Sequence, residues 1–293
     1  MARCSKRSGK TQRHERAAKS DDRSEHAAGI TEREIEDVEE LSSPRTPVIY
    51  EIVCRQGDEE MARPAVSLWW SGVAAGMSLS FSLLAQAILQ SHLPDAPWRP
   101  MVADFGYSVG FVMVVLSRQQ LFTETTVTAV LPVMAEFTGR SLLKLGRMWG
   151  IVLAANFVGT LFAALFCAFT PVLTPELYGT MLEISRHLLG HGFIETFFRA
   201  VAAGFLIAAM VWLIPGAENA QFYVIVLMTY LIAAGGFMHI IAGSVEAFLL
   251  VINGQLYVLT MLTRFVIPVL IGNIIGGTAL FTLIAYAQVM KEI

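Results

Sequence analysis

From about residue 65 to 290 the chain alternates long apolar runs with short polar stretches. Six runs stand out, at about 65–90, 101–137, 148–171, 193–214, 221–252 and 258–288. About 20 consecutive apolar residues suffice to cross the hydrocarbon core of a bilayer as a helix. The pattern therefore predicts an all-α integral membrane protein with six transmembrane helices over 65–290. HLPDAPWRP, the stretch 172–192 and IPGAEN are the connections, and Trp69 and Trp70 are placed as interfacial anchors of the first run. Runs two and five are broken: SRQQLFTETT interrupts one at 117–126, and GGFMH interrupts the other at 235–239.

The stretch before the first run reads differently. Residues 1–45 lack apolar periodicity and are rich in charge, so they are expected to be a disordered cytoplasmic arm. Within it ITEREIEDVEELSS matches a short helix, with Thr31 as N-cap and Glu34 as its capping-box partner. A solvated tail is the competing reading of everything before Pro47. Residues 46–64 are expected to be an amphipathic segment at the membrane interface.

Charge sharpens this division. Residues 1–63 hold 12 of the 21 Lys/Arg and 14 of the 24 Asp/Glu. The formal net charge of −3 conceals the asymmetry. No basic patch interleaved with aromatics points to nucleic acid. Cys4, Cys54 and Cys167 have no metal or redox spacing and read as free thiols. The polar opening is not a signal peptide. Arg63, Arg140, Lys144, Arg147 and Lys291 fall on one side if six runs cross, and Arg99, Arg186 and Arg264 on the other. The bias predicts that both termini are cytoplasmic.

The two halves resemble one another. Val73-Ala74-Ala75-Gly76 in run one matches Val201-Ala202-Ala203-Gly204 in run four. Asn156-x-x-Gly159 in run three matches Asn273-x-x-Gly276 in run six. Thr123 precedes Asn156 by 33 residues and His239 precedes Asn273 by 34. Three runs per half is an odd number, so the second half runs opposite to the first, a 3+3 inverted repeat. Broken helices in such proteins meet near the midplane and line the permeation path, because broken backbone survives in a bilayer only where protein or a wet cavity satisfies it. Gly235 and Gly236 permit the break in run five.

His239 is the sharpest chemical candidate, since an ionisable side chain inside a span usually faces a pathway. The competing reading is a histidine bonded to a backbone carbonyl freed by the break. In run two, Leu121 and Phe122 form either an apolar gate or ordinary packing, with the Thr123 hydroxyl beside them. Arg118 either attracts anions at a mouth or snorkels to headgroups. Glu195 suits a helix N-terminus and pairs with Arg199 one turn on. Glu246 is either a proton partner for His239 or an interface residue. Asn156 and Asn273 are expected to hydrogen-bond across helices near the breaks.

Together these residues resemble the formate/nitrite transporter family over about 60–290. The specific parts are Leu121-Phe122-Thr123, Gly236-Phe237-x-His239, Phe193-Ile194-Glu195, Asn156 and Gly272-Asn273-x-x-Gly276-Gly277. The resemblance implies an aquaporin-like fold, a homopentamer with one pore per protomer, and small monovalent anions of weak acids as substrates. It makes His239 the central histidine and puts Leu121, Phe122 and Thr123 at one constriction. Ile232 falls at the other. Phe237 joins them on the pathway, and Asn156, Asn273, Gly235, Gly236 and Arg118 support it. The sequence also departs from the family pattern. Gln120 stands where an acidic residue is usual, Met238 where Glu is frequent, and Gly243 where Asn is common. Leu188 replaces a lysine, with Arg186 and His187 nearby as substitutes, and Gly204 replaces an Asn.

The expected function is thus passage of small weak-acid anions across the inner membrane, channel-like or coupled to protons, in contact with lipid. A pore for neutral solutes and a non-transporting membrane scaffold are the alternatives. No cofactor, metal or enzyme activity is expected, since no nucleophile–base pair, ligand cluster or nucleotide loop is present.

Overall fold

The computed structural model describes residues 44–292. The charged arm, the ITEREIEDVEELSS helix with its Thr31 cap, and Cys4 lie outside them. Ten helices account for most of the described chain, and no strand occurs among the described residues. Helix α1 spans Thr46–Ala62. It is followed by α2 (Ala65–His92), α3 (Arg99–Leu116), α4 (Phe122–Ala135) and α5 (Gly139–Phe169). The rest are α6 (Pro175–Ser185), then α7 (Phe193–Gly216), α8 (Glu218–Ala234), α9 (Ile240–Ile252) and α10 (Val258–Val289). Helices α2, α3, α5, α7 and α10 are long and apolar enough to cross a membrane. The pairs α3/α4 and α8/α9 are the two broken runs.

Both breaks begin with the same hydrogen-bonded helix ending. At the end of α3, Arg118 N–H donates to Val115 O and Gln119 N–H to Val114 O. At the end of α8, Gly236 N–H donates to Ala233 O and Phe237 N–H to Ile232 O. This is the Schellman pattern, which needs a left-handed residue just past the helix. Gly236 supplies it at φ +61°, and Arg118 supplies it at φ +52°. Gly235 is right-handed; a side chain there would collide with the Phe237 ring.

Each break is closed by an asparagine. The Asn156 Oδ1 accepts from Phe122 N–H at 2.9 Å, and its amide donates to Gly72 O at 2.8 Å and Gln120 O at 2.9 Å. The Asn273 Oδ1 accepts from Ile240 N–H at 2.8 Å, and its amide donates to Ala200 O at 2.8 Å and Met238 O at 2.9 Å. Both residues are fully buried. Freed backbone groups inside a bilayer must find such partners. The pattern pairs His239 with Leu121, two residues before the Thr123 that sequence spacing alone aligns with it. Gly204 pairs with Gly76, and a Cβ on Gly204 would collide with Asn273 O. There is no room here for the Asn that the resemblance suggests.

Two elements differ from the hydropathy reading. Helix α5 begins nine residues before the apolar run, carrying Arg140, Lys144 and Arg147 within its first turns. Thr138 Oγ1 caps it by accepting from Ser141 N–H at 3.1 Å. Basic residues at this spacing share an exposed face, so the helix continues beyond the apolar stretch. The connection 172–192 contains α6, started by Thr174 as N-cap and Pro175 in the first turn. It packs against α2 and α9.

Helix α1 is docked rather than free. It buries Tyr50, Val53, Cys54, Gly57 and Met61 and packs against α4, α7 and α10. Gly57 lies directly on Thr128 O, where a Cβ would not fit. Cys54 is buried and Cys167 half-buried. Elsewhere large apolar side chains face outward, including Phe162, Phe166 and Phe169 on α5 and Ile194 and Phe198 on α7. A protomer with such faces needs lipid or neighbouring protein around it.

Candidate functional site

The two breaks meet at one hydrogen bond. His239 Nε2 and Thr123 Oγ1 are 2.7 Å apart, joining residues 116 positions apart in sequence. His239 is 1% exposed and Thr123 likewise. The ring is held from its other side as well. Ala242 N–H donates to Nδ1 at 3.2 Å, which makes His239 the N-cap of α9. A neutral imidazole has one donor and one acceptor nitrogen. Nδ1 is the acceptor here, so Nε2 carries the hydrogen and donates it to Thr123. The Thr123 hydroxyl hydrogen then remains to be given elsewhere. Phe111 packs edge-on against the imidazole with ring centroids 5.1 Å apart.

His239 lies in the wall of a cavity of about 330 Å³. The cavity is bounded by the second half of α2, the start of α3, α6 with the turn after it, the α8/α9 break, α9, and Phe265 of α10. It therefore opens toward the face where α2 ends, away from α1. Its polar lining includes Asp104, Tyr107, Glu183, His187, His191 and Glu246, and among the described residues no Lys or Arg contributes to it. Tyr107 packs against Phe111 as a tilted pair with ring centroids 5.2 Å apart, so an aromatic pair leads from the cavity wall to His239.

The other sequence-derived residues distribute around this centre. Phe237 lines the cavity with His239. Leu121 and Phe122 are fully buried on the far side of the Thr123 link, and Phe122 meets the Trp149 ring at 5.7 Å. Ile232 is buried in the core, one helical turn before the break, and does not line the cavity. Asn156, Asn273, Gly235 and Gly236 shape the breaks as described. Arg118 is exposed at the end of α3. Arg199 pairs with Glu195 at 3.0 Å, as its spacing indicates, and also donates to Gly236 O at 3.0 Å, fixing the second break. Gly243, where the resemblance suggests Asn, is backed by the Phe265 ring.

Tyr107 and Asp104 in the cavity wall, and Phe111 packed on His239, are not singled out by sequence reasoning. Tyr107 and Phe111 sit in the unbroken part of run two, where every apolar residue looks alike. Asp104 also lines the cavity, and its carboxylate accepts from Gln86 at 3.0 Å. A charged residue inside an apolar run was the available signal. Glu246 lines the cavity, is 4% exposed and lies 3.3 Å from His187. Of the two substitutes for the missing lysine, His187 lines the cavity, whereas Arg186 turns away to Gln255 at 2.9 Å.

Comparison with known proteins agrees with this geometry. The family model "Formate/nitrite transporter" matches residues 47–287. Inner membrane protein YfdC of Escherichia coli K12 is 41% identical over 260 residues, covering 89% of this chain and 84% of the relative. Formate channel FocA of Haemophilus influenzae is 25% identical, covering 73% of this chain and 84% of that protein. Among solved structures, a pentameric formate channel with formate bound superposes with a TM-score of 0.68 at 22% identity, over 78% of this chain and 98% of the other. A structure described as an FNT family ion channel gives 0.70 at 18% identity, over 82% and 98%. With the broken helices, the paired asparagines and the buried histidine already in place, the chain belongs to the formate/nitrite transporter family.

Proposed function

We propose that this protein forms a pore for small monovalent anions of weak acids, formate or nitrite in type, in the inner membrane. One observation carries the reading: the Thr123–His239 hydrogen bond joins two helix breaks beside a cavity. The N-terminal ends of α4 and α9 converge there. Helix N-termini present unpaired N–H groups and partial positive charge, which favour an anion or a polarised oxygen. The freed Thr123 hydroxyl hydrogen supplies a further donor. Buried Leu121 and Phe122 form the apolar barrier beyond it.

Moving a bare charge past such residues costs several kcal/mol or more. The solute therefore passes this barrier as the neutral acid, with His239 sharing the proton. In this reading the two halves have opposite orientation, both termini face the cytoplasm, and α1 lies along that interface. The outward phenylalanines of α5 and α7 support contact with lipid and with neighbouring protomers, and the pentameric relative supports five. The protein works without a cofactor.

A second reading, a pore selective for neutral solutes, is favoured by one feature. The cavity carries Asp104, Glu183 and Glu246 and no Lys or Arg, a poor lure for anions. A stopped-flow panel in proteoliposomes separates the two. Formate and nitrite uptake that rises at acid pH supports the weak-acid pore. Swelling with neutral solutes alone supports the second reading. No flux of either kind leaves the membrane scaffold.

A further inference from the structure

The cavity holds a carboxyl that the pore reading leaves without a task. Glu246 is 4% exposed on α9, two turns past His239, and lines the cavity. Its Oε2 is buried and receives no hydrogen bond from the described residues. A buried carboxyl oxygen without a donor is costly for a merely structural residue.

His187 supplies the reason for the arrangement. Its Nδ1 lies 2.9 Å from Ile184 O, and a carbonyl only accepts, so Nδ1 carries the hydrogen. The same Nδ1 is 3.3 Å from Glu246 Oε2. In the neutral ring Nε2 is then the acceptor, on a side chain 40% exposed to solvent. The imidazole bridges cavity water and the carboxyl, taking a proton on one nitrogen and holding one next to Oε2 on the other. Histidine is suited to this, since its unperturbed titration falls near neutral pH. The other titratable groups in the same walls are Asp104 and Tyr107 from α3, Glu183 from α6, His191 in the turn after it, which pairs with Glu195 at 2.7 Å, and His239 itself. Asp104 is engaged by Gln86, and Glu183 is exposed at the rim.

We propose that Glu246 and His187 form a proton-delivery pair, which protonates a weak-acid anion in the cavity before it reaches His239. The inference rests on the pore reading above. The Glu246 carboxyl gives its proton to a solute oxygen, and the neutral acid moves on. The carboxylate left behind takes the Nδ1 proton of His187 after Nε2 has gained one from cavity water. Exchange with the same water restores the starting tautomer. One proton enters from bulk water for each one that leaves on the solute, and no electrons move. A proton-delivery pair accounts for a pore of this family with carboxyls and no lysine in its mouth.

The test uses the full chain in proteoliposomes, with formate and nitrite as probes and the pH varied on the cavity side. Glu246→Gln keeps the volume and removes the exchangeable proton. Its uptake is expected to fall about tenfold near neutral pH and to approach wild type when bulk acid itself protonates the solute. Glu246→Asp retains the wild-type profile. A structural role would lower flux equally at every pH, and that result, or an unchanged profile, overturns the proposal. Should Glu246→Gln fail to assemble, His187→Gln carries the same expectation and the same overturning results. If wild type moves neither probe at any pH, the pore reading itself falls, and this inference falls with it.

Discussion

Asn156 and Asn273 make the same three hydrogen bonds at two places in the protein. Each accepts from the first N–H of a half-helix and donates to the carbonyl two residues earlier, and to a carbonyl of the helix alongside. The side chain thereby closes a gap in the backbone hydrogen bonding that an aliphatic residue would leave open.

Replacing either asparagine by alanine strands the two buried backbone groups at its break, an N–H and the carbonyl two residues earlier. Each costs about 1–3 kcal/mol when unpaired. Asn156→Ala and Asn273→Ala should lower the thermal midpoint in detergent by similar amounts. A large loss in one and none in the other would show that the two breaks are not equivalent.

Arg118 occupies a left-handed position that its counterpart Gly236 fills without strain. A non-glycine residue there costs about 1–2 kcal/mol. Arg118→Gly should therefore raise stability by about 1 kcal/mol. If the side chain also draws anions to that mouth, uptake at low ionic strength falls in the same variant while the fold gains. Unchanged stability would mean that the backbone there is not strained.

Glu60 ties α1 to the first break. Its Oε1 accepts from Gln120 at 3.2 Å and its Oε2 from the Thr128 hydroxyl at 2.7 Å. Burial holds its pKa above the ordinary value of 4.5, with the two hydrogen bonds opposing the rise. A folded-state pKa that is raised gives stability fully present below the unfolded value and lost as pH climbs through the folded one. Docking of α1 should thus be tightest in acid and loosen as pH rises, and Glu60→Gln should remove the dependence. Hydrogen exchange over 46–62, corrected for intrinsic rates, measures this. Tighter docking at high pH would reverse the sign and refute the argument.

Much of this was open to sequence reading. The apolar runs mark the long helices α2, α3, α5, α7 and α10, and the interruptions at 117–126 and 235–239 fall at the two helix breaks. Helix continuation past the apolar stretch was not visible in α5, because basic residues at helical spacing look like a loop to hydropathy. Helix α6 was signalled by Thr174-Pro175, a local cue that a search for apolar runs passes over. The pairing of His239 with Leu121 depends on hydrogen bonds that spacing fixes only to within two residues. The cavity carboxyls were individually visible, but their convergence is a tertiary fact.

The tautomer of His239 makes Thr123 separable from its neighbours. Thr123→Ser keeps a hydroxyl to accept from Nε2 and should retain uptake. Thr123→Val has the same shape without the oxygen, leaving a buried N–H unpaired at a cost of about 1–3 kcal/mol. Uptake should fall about tenfold, the equivalent of about 1.4 kcal/mol on the barrier. Equal uptake by Ser and Val variants would remove the hydroxyl from the pathway.

The most direct measurement is acid-stimulated formate uptake by wild type and His239→Asn in proteoliposomes, with assembly checked by size. Asparagine can still accept from Ala242 N–H and donate toward Thr123, but it cannot hold a proton. The variant is expected to assemble, with uptake that is low and no longer rises in acid. An assembled His239→Asn protein that takes up formate as wild type does, with the same rise, would contradict proton sharing by His239.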